Sequence, residues 1–123
     1  MPKFRATTST GTVIDDPVDK DIAALVRAVS AEDGAFLLFE RCEDRSGNTY
    51  LQTMYAAGFI VEHRDGARER HYRADAISAD VVTEVFVSWS HGTDAWQTLV
   101  NWQWLKPLAW WQRRTRTHVG GVI

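Results

Sequence analysis

The chain has 123 residues, enough for one ordinary domain, and its net charge of −2 is too small to imply any particular partner. An apolar fraction of 45% and a charged fraction of 24% are usual for a soluble globular protein. The single cysteine, Cys42, excludes an internal disulfide, and no apolar run approaches the roughly 18 residues of a membrane span. Because the first residues also lack the apolar core of a signal peptide, we expect a cytoplasmic protein without a membrane partner.

The first half of the chain predicts one helix and two strands. Residues 1–15 form a polar lead-in with space for a short strand near 12–14. Asp16 and Pro17 fit the N-cap and the first position of a helix. Its apolar stripe then recurs at i, i+3, i+4 and i+7, at Ile22, Leu25, Val26 and Val29. After a turn at 30–34, the runs 35–42 and 49–56 predict two strands.

The segment FIVEHRDGARERHYRAD, residues 59–75, predicts a β-hairpin because an Asp-Gly pair stands between two strand-like runs. A two-residue loop would place Glu62 opposite Glu69. A four-residue loop would place Arg64 opposite Glu69 and Glu62 opposite His71, which pairs unlike charges. The Asp-Gly preference favours the shorter loop and the charge pairing the longer, so the sequence leaves both registers open.

Both registers divide the hairpin into the same two faces. One face is apolar and holds Phe59, Val61 and Tyr72. The other carries Ile60 together with five charged or histidine residues, Glu62, Arg64, Glu69, His71 and Arg73. We therefore predict a half-buried ribbon whose five charged or histidine side chains are exposed to solvent.

The second half of the chain predicts another helix and a tryptophan-rich end. Ser78 fits its N-cap and Gly92 its end, and its apolar face holds Val81, Val82, Val85, Phe86 and Trp89. Residues 96–100 fit a helical turn and residues 100–104 fit a strand, and both alternatives stay open. The whole pattern predicts an α+β fold, an antiparallel β-meander of about four to five strands with helices packed on one face, in a single domain over residues 1–123.

No catalytic or metal-binding pattern stands out in the chain. His63 and His71 fall on opposite faces of the predicted hairpin, and no CxxC or HExxH spacing is present. Cys42 lies on an apolar strand, which is more typical of a small core residue than of a nucleophile. Trp110 and Trp111 precede three arginines that could attract nucleic acid, but a pI near 6.0 argues against it. We expect a protein without catalytic activity, metal or cofactor.

Several motifs occur together between residues 18 and 102. They are the amphipathic helix DIAALVRAV, the hairpin GFIVEHRDG followed by RHYRA, the helix VVTEVFVSW, and the spaced Trp96 and Trp102. This pattern resembles the bacterial polymorphic-toxin immunity proteins, in particular the first numbered family of them. The resemblance implies a small non-catalytic protein that binds a cognate toxin domain and blocks it. Residues 105–123, basic and Trp-containing, lie outside the resemblance.

The predicted partner-binding residues combine the charged hairpin face with acidic and aromatic side chains elsewhere. They are Glu62, Arg64, Glu69, His71, Arg73, Asp15, Asp16, Trp110 and Trp111. The acidic N-terminal half could act as a phosphate mimic in a basic toxin cleft, or serve only as a helix cap and a solvated loop. Tyr50, Tyr55 or a C-terminal Trp would supply an aromatic anchor. Because Trp110 and Trp111 are adjacent, one of them should be partly exposed to a partner or to a second copy in a homodimer.

Two other classes of function stay open. The first is another protein-interaction module, such as a secretion chaperone or an oligomeric structural protein. The second is an enzyme or ligand-binding domain. A pocket lined by Cys42 or His63 with a perturbed pKa would favour that second class.

Overall fold

The computed structural model describes residues 1–76 and 78–106. Its strands are β1 (Phe4–Thr8), β2 (Val13–Asp15), β3 (Phe36–Arg41), β4 (Thr49–Tyr55), β5 (Phe59–Asp65), β6 (His71–Ala76) and β7 (Gln103–Trp104). Its helices are α1 (Asp19–Val29), α2 (Ala79–His91) and α3 (Trp96–Leu99). The strands form one antiparallel sheet in the order β2-β1-β3-β4-β5-β6-β7. The α+β class is confirmed, but the described residues form seven strands and not four to five.

The strands that were not predicted, β1 and β7, lie toward the two sides of the sheet, with β1 second from one edge and β7 at the other. β1 was predicted only as part of a polar lead-in, yet Phe4 and Ala6 are buried in it. It forms because it pairs along its whole length with β3, a contact that no local pattern predicts. β2 confirms the short strand expected near 12–14, and β7 contributes two residues at the opposite edge.

The start of α1 differs from the prediction. The helix begins at Asp19, after Val18 in the N-cap position, and no side chain caps it. Asp16 has a φ of 46°, and its carboxylate accepts hydrogen bonds from the backbone amides of Lys3 and Phe4 at 3.0 and 3.2 Å. Asp16 therefore fixes the start of β1 to the end of β2 and does not cap the helix. A short side chain that accepts from nearby backbone amides is typical of Asp where a helix does not begin.

The core lies between α1, α2 and one face of the sheet. Most of each predicted helical stripe is confirmed: Leu25 and Val81 are half-buried, and the other members are buried, namely Ile22, Val26, Val29, Val82, Val85, Phe86 and Trp89. Phe39 stands at the centre, with its ring centroid 5.2 Å from that of Phe4 and 4.8 Å from that of Phe86. As predicted, the Ser78 hydroxyl caps α2 by accepting from the Val81 amide, and Gly92 ends the helix with a φ of 72°.

The β5–β6 hairpin adopts neither predicted register. Arg64 lies opposite His71 and Glu62 opposite Arg73, and the Asp65 amide donates to the Arg70 carbonyl at 2.9 Å across a longer loop. The observed register is displaced from both predicted ones by an even number of residues, so the faces are unchanged. The inward orientation of the apolar face is therefore confirmed, with Phe59 and Val61 buried and Tyr72 half-buried.

The sequence left open whether a helical turn or a strand follows α2, and the structure contains both. α3 is a single helical turn, and β7 is a short strand that pairs with β6. Trp110 and Trp111, with the rest of the basic tail from residue 107, lie outside the described residues. Among the described helices, none is long and apolar enough to cross a membrane.

Candidate functional site

One face of the sheet has no described helix packed on it, and we call it the open face. Its apolar members Phe36, Leu38, Met54 and Ile60 are half-buried and lie outside the core cluster. Cross-strand pairing places Phe36, Met54 and Ile60 side by side, and Leu38 lies in the neighbouring row. This apolar strip is a surface that the helices leave uncovered.

A second row of side chains crosses the open face over six strands, and we call it the charged row. Strand pairing aligns its members in the order Asp15, Arg5, Glu40, Tyr50, Arg64 and His71. At a strand spacing of about 4.8 Å, the row is roughly 24 Å long. Two carboxylates and two guanidinium groups alternate along it, so opposite charges are neighbours at several positions.

The end of the charged row nearest β6 is a connected network. Arg64 donates from Nε to His71 Nδ1 at 3.0 Å and from Nη1 to the Asn48 side-chain oxygen at 3.2 Å. Because Nδ1 accepts, neutral His71 carries its proton on Nε2, which lies 3.0 Å from a Glu62 carboxylate oxygen. The Arg64 guanidinium also lies 5.4 Å from the centre of the Tyr50 ring. Burial is the main reason that the pKa of Tyr50 is raised.

The network corrects the predicted exposure of the hairpin's charged face. Only Glu69 and Arg73 are exposed, whereas Glu62 and Arg64 are half-buried and His71 is 9% exposed. Glu69 also lies in the loop before β6 and not on the strand. The physical reason is that Glu62, Arg64 and His71 satisfy one another's hydrogen bonds and so cover each other against solvent.

The acidic residues of the N-terminal half do not form one free cluster. Asp15 pairs with Arg5 at 2.7 Å, and that hydrogen bond lowers the pKa of its carboxyl below the ordinary value. Asp16 accepts from backbone amides, and Asp19 lies 2.8 Å from His91 Nε2. These three carboxylates are therefore engaged in local contacts, and Asp16 is not the helix cap that the second predicted role required.

The structure thus brings together some predicted residues and separates others. Glu62, Arg64 and His71 form one network, and Arg73 lies beside Glu62 in the next strand. Asp15 is in the same row but four strands away from Arg64. Sequence reasoning did not identify Arg5, Glu40 or Asn48, whose roles depend on pairing between distant strands.

A second candidate site lies on the helix-covered face, around His63. The imidazole is 6% exposed, and its ring centre lies 4.5 Å from Trp96, 6.0 Å from Trp102 and 6.3 Å from Tyr72. Burial is the main reason that the pKa of His63 falls to about 4, and Asp65 opposes the fall in part. The ring borders a cavity of about 370 Å³, which we call the His63 cavity.

The walls of the His63 cavity come from strand ends and the α2–α3 connection. Besides His63 they include Arg41, Thr49, Asp65, Trp89, Asp94 and Trp96. Cys42 is not among the lining residues. A pocket lined by His63 with a perturbed pKa is the feature expected to favour a ligand-binding or enzymatic role, and it is present.

Metal chemistry has no visible support in the part of the chain that the structure describes. No group of three His, Cys, Asp or Glu side chains there is arranged to hold a metal ion. The predicted separation of the two hairpin histidines is confirmed, since His63 pairs with Tyr72 on the inner face and His71 with Arg64 on the open face. What both candidate sites offer is recognition by hydrogen bonds, charges and aromatic surfaces.

Comparison with known proteins gives no family for this chain. No family model, no curated protein and no solved structure matches it. The likeness to toxin immunity proteins rests on the sequence motifs between residues 18 and 102.

Proposed function

We propose that this protein is a non-catalytic immunity protein, which binds a cognate bacterial toxin domain through the open face of its sheet and occludes it. The observation that carries the proposal is the charged row, centred on Tyr50 and Arg64, on the same face of the sheet as the apolar strip. Tyrosine and arginine are among the residue types that dominate binding energy at protein interfaces. The toxin as partner comes from the resemblance of residues 18–102.

The charged row suits tight binding because its side chains are already held in place. Arg64 has two hydrogen-bond partners and an aromatic neighbour, and His71 is fixed between Arg64 and Glu62. Side chains that are ordered before association lose little conformational entropy when the partner arrives. The apolar strip on the same face supplies area whose burial favours association.

The charge distribution indicates how the partner is attracted. Asp15 and Glu40 balance Arg5 and Arg64, so the row has no strong net charge. Long-range steering should therefore be weak, and raising the salt from low to physiological concentration should change the association rate only slightly. An acidic mimic of nucleic acid would instead lose association rate sharply.

The deciding experiment is co-expression with a toxin domain encoded next to this chain. We expect the cells to survive only when this protein is present, and the two proteins to elute as one complex. Equal survival with and without this protein, together with separate elution, would show that the immunity function is wrong.

Single substitutions then locate the binding face. Tyr50→Ala should weaken the complex at least about tenfold, because it removes the central aromatic ring of the row. Arg27→Ala is the matched control, since Arg27 is exposed on α1 on the other side of the sheet. Loss of binding in Arg27→Ala but not in Tyr50→Ala would exclude the open face. Light scattering of the isolated protein and of Tyr50→Ala shows whether the chain forms a homodimer and whether that dimer depends on the open face.

A second candidate function, small-ligand binding, is favoured by one specific observation, the cavity beside His63. Buried titratable groups with shifted pKa values cluster at functional sites. The cavity lies on the opposite side of the sheet from the charged row, so the two candidate functions use different residues and can be tested separately.

A further inference from the structure

The floor of the His63 cavity carries opposite charges on neighbouring strands. Thr49 pairs with Asp65 between β4 and β5, and the β3–β4 register, continued by one residue, brings Arg41 beside Thr49. Arg41 and Asp65 are thus two strand spacings apart, roughly 10 Å between backbones. Among the described residues they form no ion pair with each other. The cationic Arg41 and the anionic Asp65 therefore lie on either side of Thr49 in the floor of the cavity.

Arg41 contacts Trp89 of α2 but keeps hydrogen-bonding capacity. Its Nη2 donates to the Trp89 carbonyl at 2.8 Å, and its guanidinium carbon lies 4.2 Å from the centre of the Trp89 ring. A guanidinium has five N–H donors, and the described residues accept from one of them. The remaining donors are in a half-buried group that lines the cavity, the arrangement that suits a carboxylate.

His63 is a buried polar group without a hydrogen-bond partner among the described residues. The imidazole is one of the side chains that line the cavity. The ring is neutral at physiological pH because burial lowers its pKa to about 4. A neutral imidazole can donate one hydrogen bond and accept another, and it adds no charge to the site.

We propose that the His63 cavity binds a small zwitterion of the amino-acid class. The ligand's carboxylate meets Arg41, its ammonium group meets Asp65, and the neutral His63 ring lines the site between them without adding a charge. A simple anion would be opposed by Asp65 and Asp94, and a simple cation by Arg41, so a ligand with both charges fits this lining best. The cavity volume of about 370 Å³ lies at the small end of the roughly 300–1,000 Å³ range of ligand pockets.

Titration of the folded protein with each of the twenty standard free amino acids tests the proposal. Binding is followed by tryptophan fluorescence, because Trp89 and Trp96 line the cavity, and by the NMR signal of the His63 ring. Acetate and methylammonium are titrated as single-charge probes. At least one amino acid should bind, and each single-charge probe should bind at least about tenfold more weakly. Failure of every amino acid at millimolar concentration, or acetate binding as tightly as the best amino acid, would overturn the proposal.

Substitutions of Arg41 and Asp65 test whether these two residues contact the charged groups of the ligand. Arg41→Lys keeps the positive charge but loses the planar fork, and Asp65→Asn removes the carboxylate charge; each should weaken amino-acid binding at least about tenfold. Arg45→Gln, at an exposed position in the β3–β4 turn, is the matched control and should bind normally. Equal affinity in Arg41→Lys, Asp65→Asn and the control would refute the site. Because toxin binding is assigned to the opposite face, Tyr50→Ala should leave amino-acid binding unchanged.

Discussion

Lowering the pH from about 7.5 to about 5 should destabilise the fold, because His63 is buried as a neutral ring. Burial lowers the pKa of His63 from 6.5 to about 4, with smaller lowering effects of His71 and Arg41 and an opposing effect of Asp65. As the pH falls below 6.5, the unfolded chain takes up a proton on this ring while the folded chain does not. The unfolded state therefore binds more protons in this window, and the free energy of unfolding falls as the pH falls.

The size of the effect follows from the two pKa values. At about 1.36 kcal/mol for each pKa unit, the interval between 6.5 and about 4 corresponds to about 3 kcal/mol. Near pH 5 most of that interval has been crossed, so about 2 kcal/mol should be lost relative to pH 7.5. This is a large share of the roughly 5–15 kcal/mol that stabilises an ordinary domain. Below about pH 4 the folded ring is also protonated, and the contribution of His63 no longer changes.

Urea denaturation followed by tryptophan fluorescence at the two pH values measures this loss. His63→Phe places an apolar ring among Trp96, Trp102 and Tyr72 and removes the titrating group, so its stability should differ little between the two pH values. His91→Gln changes an exposed histidine and should keep the difference of about 2 kcal/mol. If His63→Phe keeps the full difference, the pH dependence does not come from His63 and the reasoning is refuted.

Three stability predictions concern α2 and are measured by thermal and urea denaturation. Trp89→Ala should cost about 3–5 kcal/mol because the ring is 4% exposed and packs against Phe4 and Arg41; a melt like that of the parent would contradict this. Ser78→Ala should cost about 1 kcal/mol, since it removes the acceptor of the Val81 amide, and Ser78→Asp should restore most of the loss. Gly92→Ala should cost about 1 kcal/mol through its left-handed φ of 72° alone, because a Cβ there meets no atom within 4 Å; an unchanged stability would show that the backbone relaxes.

The sequence alone determined the features that depend on short-range periodicity. The i, i+3, i+4 spacing identified the buried stripes of both helices, and Ser78 and Gly92 marked the ends of α2 correctly. Alternation in the hairpin separated His63 from His71 even though both predicted registers were wrong. The assignment of the hairpin faces was correct despite the wrong register, because a displacement by an even number of residues leaves every side chain on its face.

Only the tertiary structure decided which distant residues meet. Asp is a residue type that often caps helices, and Asp16 precedes α1. In the structure, however, its carboxylate accepts hydrogen bonds from the amides of Lys3 and Phe4, at the start of β1. The charged row joins residues between 5 and 71, and the His63 cavity joins strand ends to the connection after α2. Such sites are fixed by the relative register of whole strands and by the packing of helices on the sheet. A short stretch of sequence cannot predict strand register or helix packing, because the contacts that stabilise them join residues far apart along the chain.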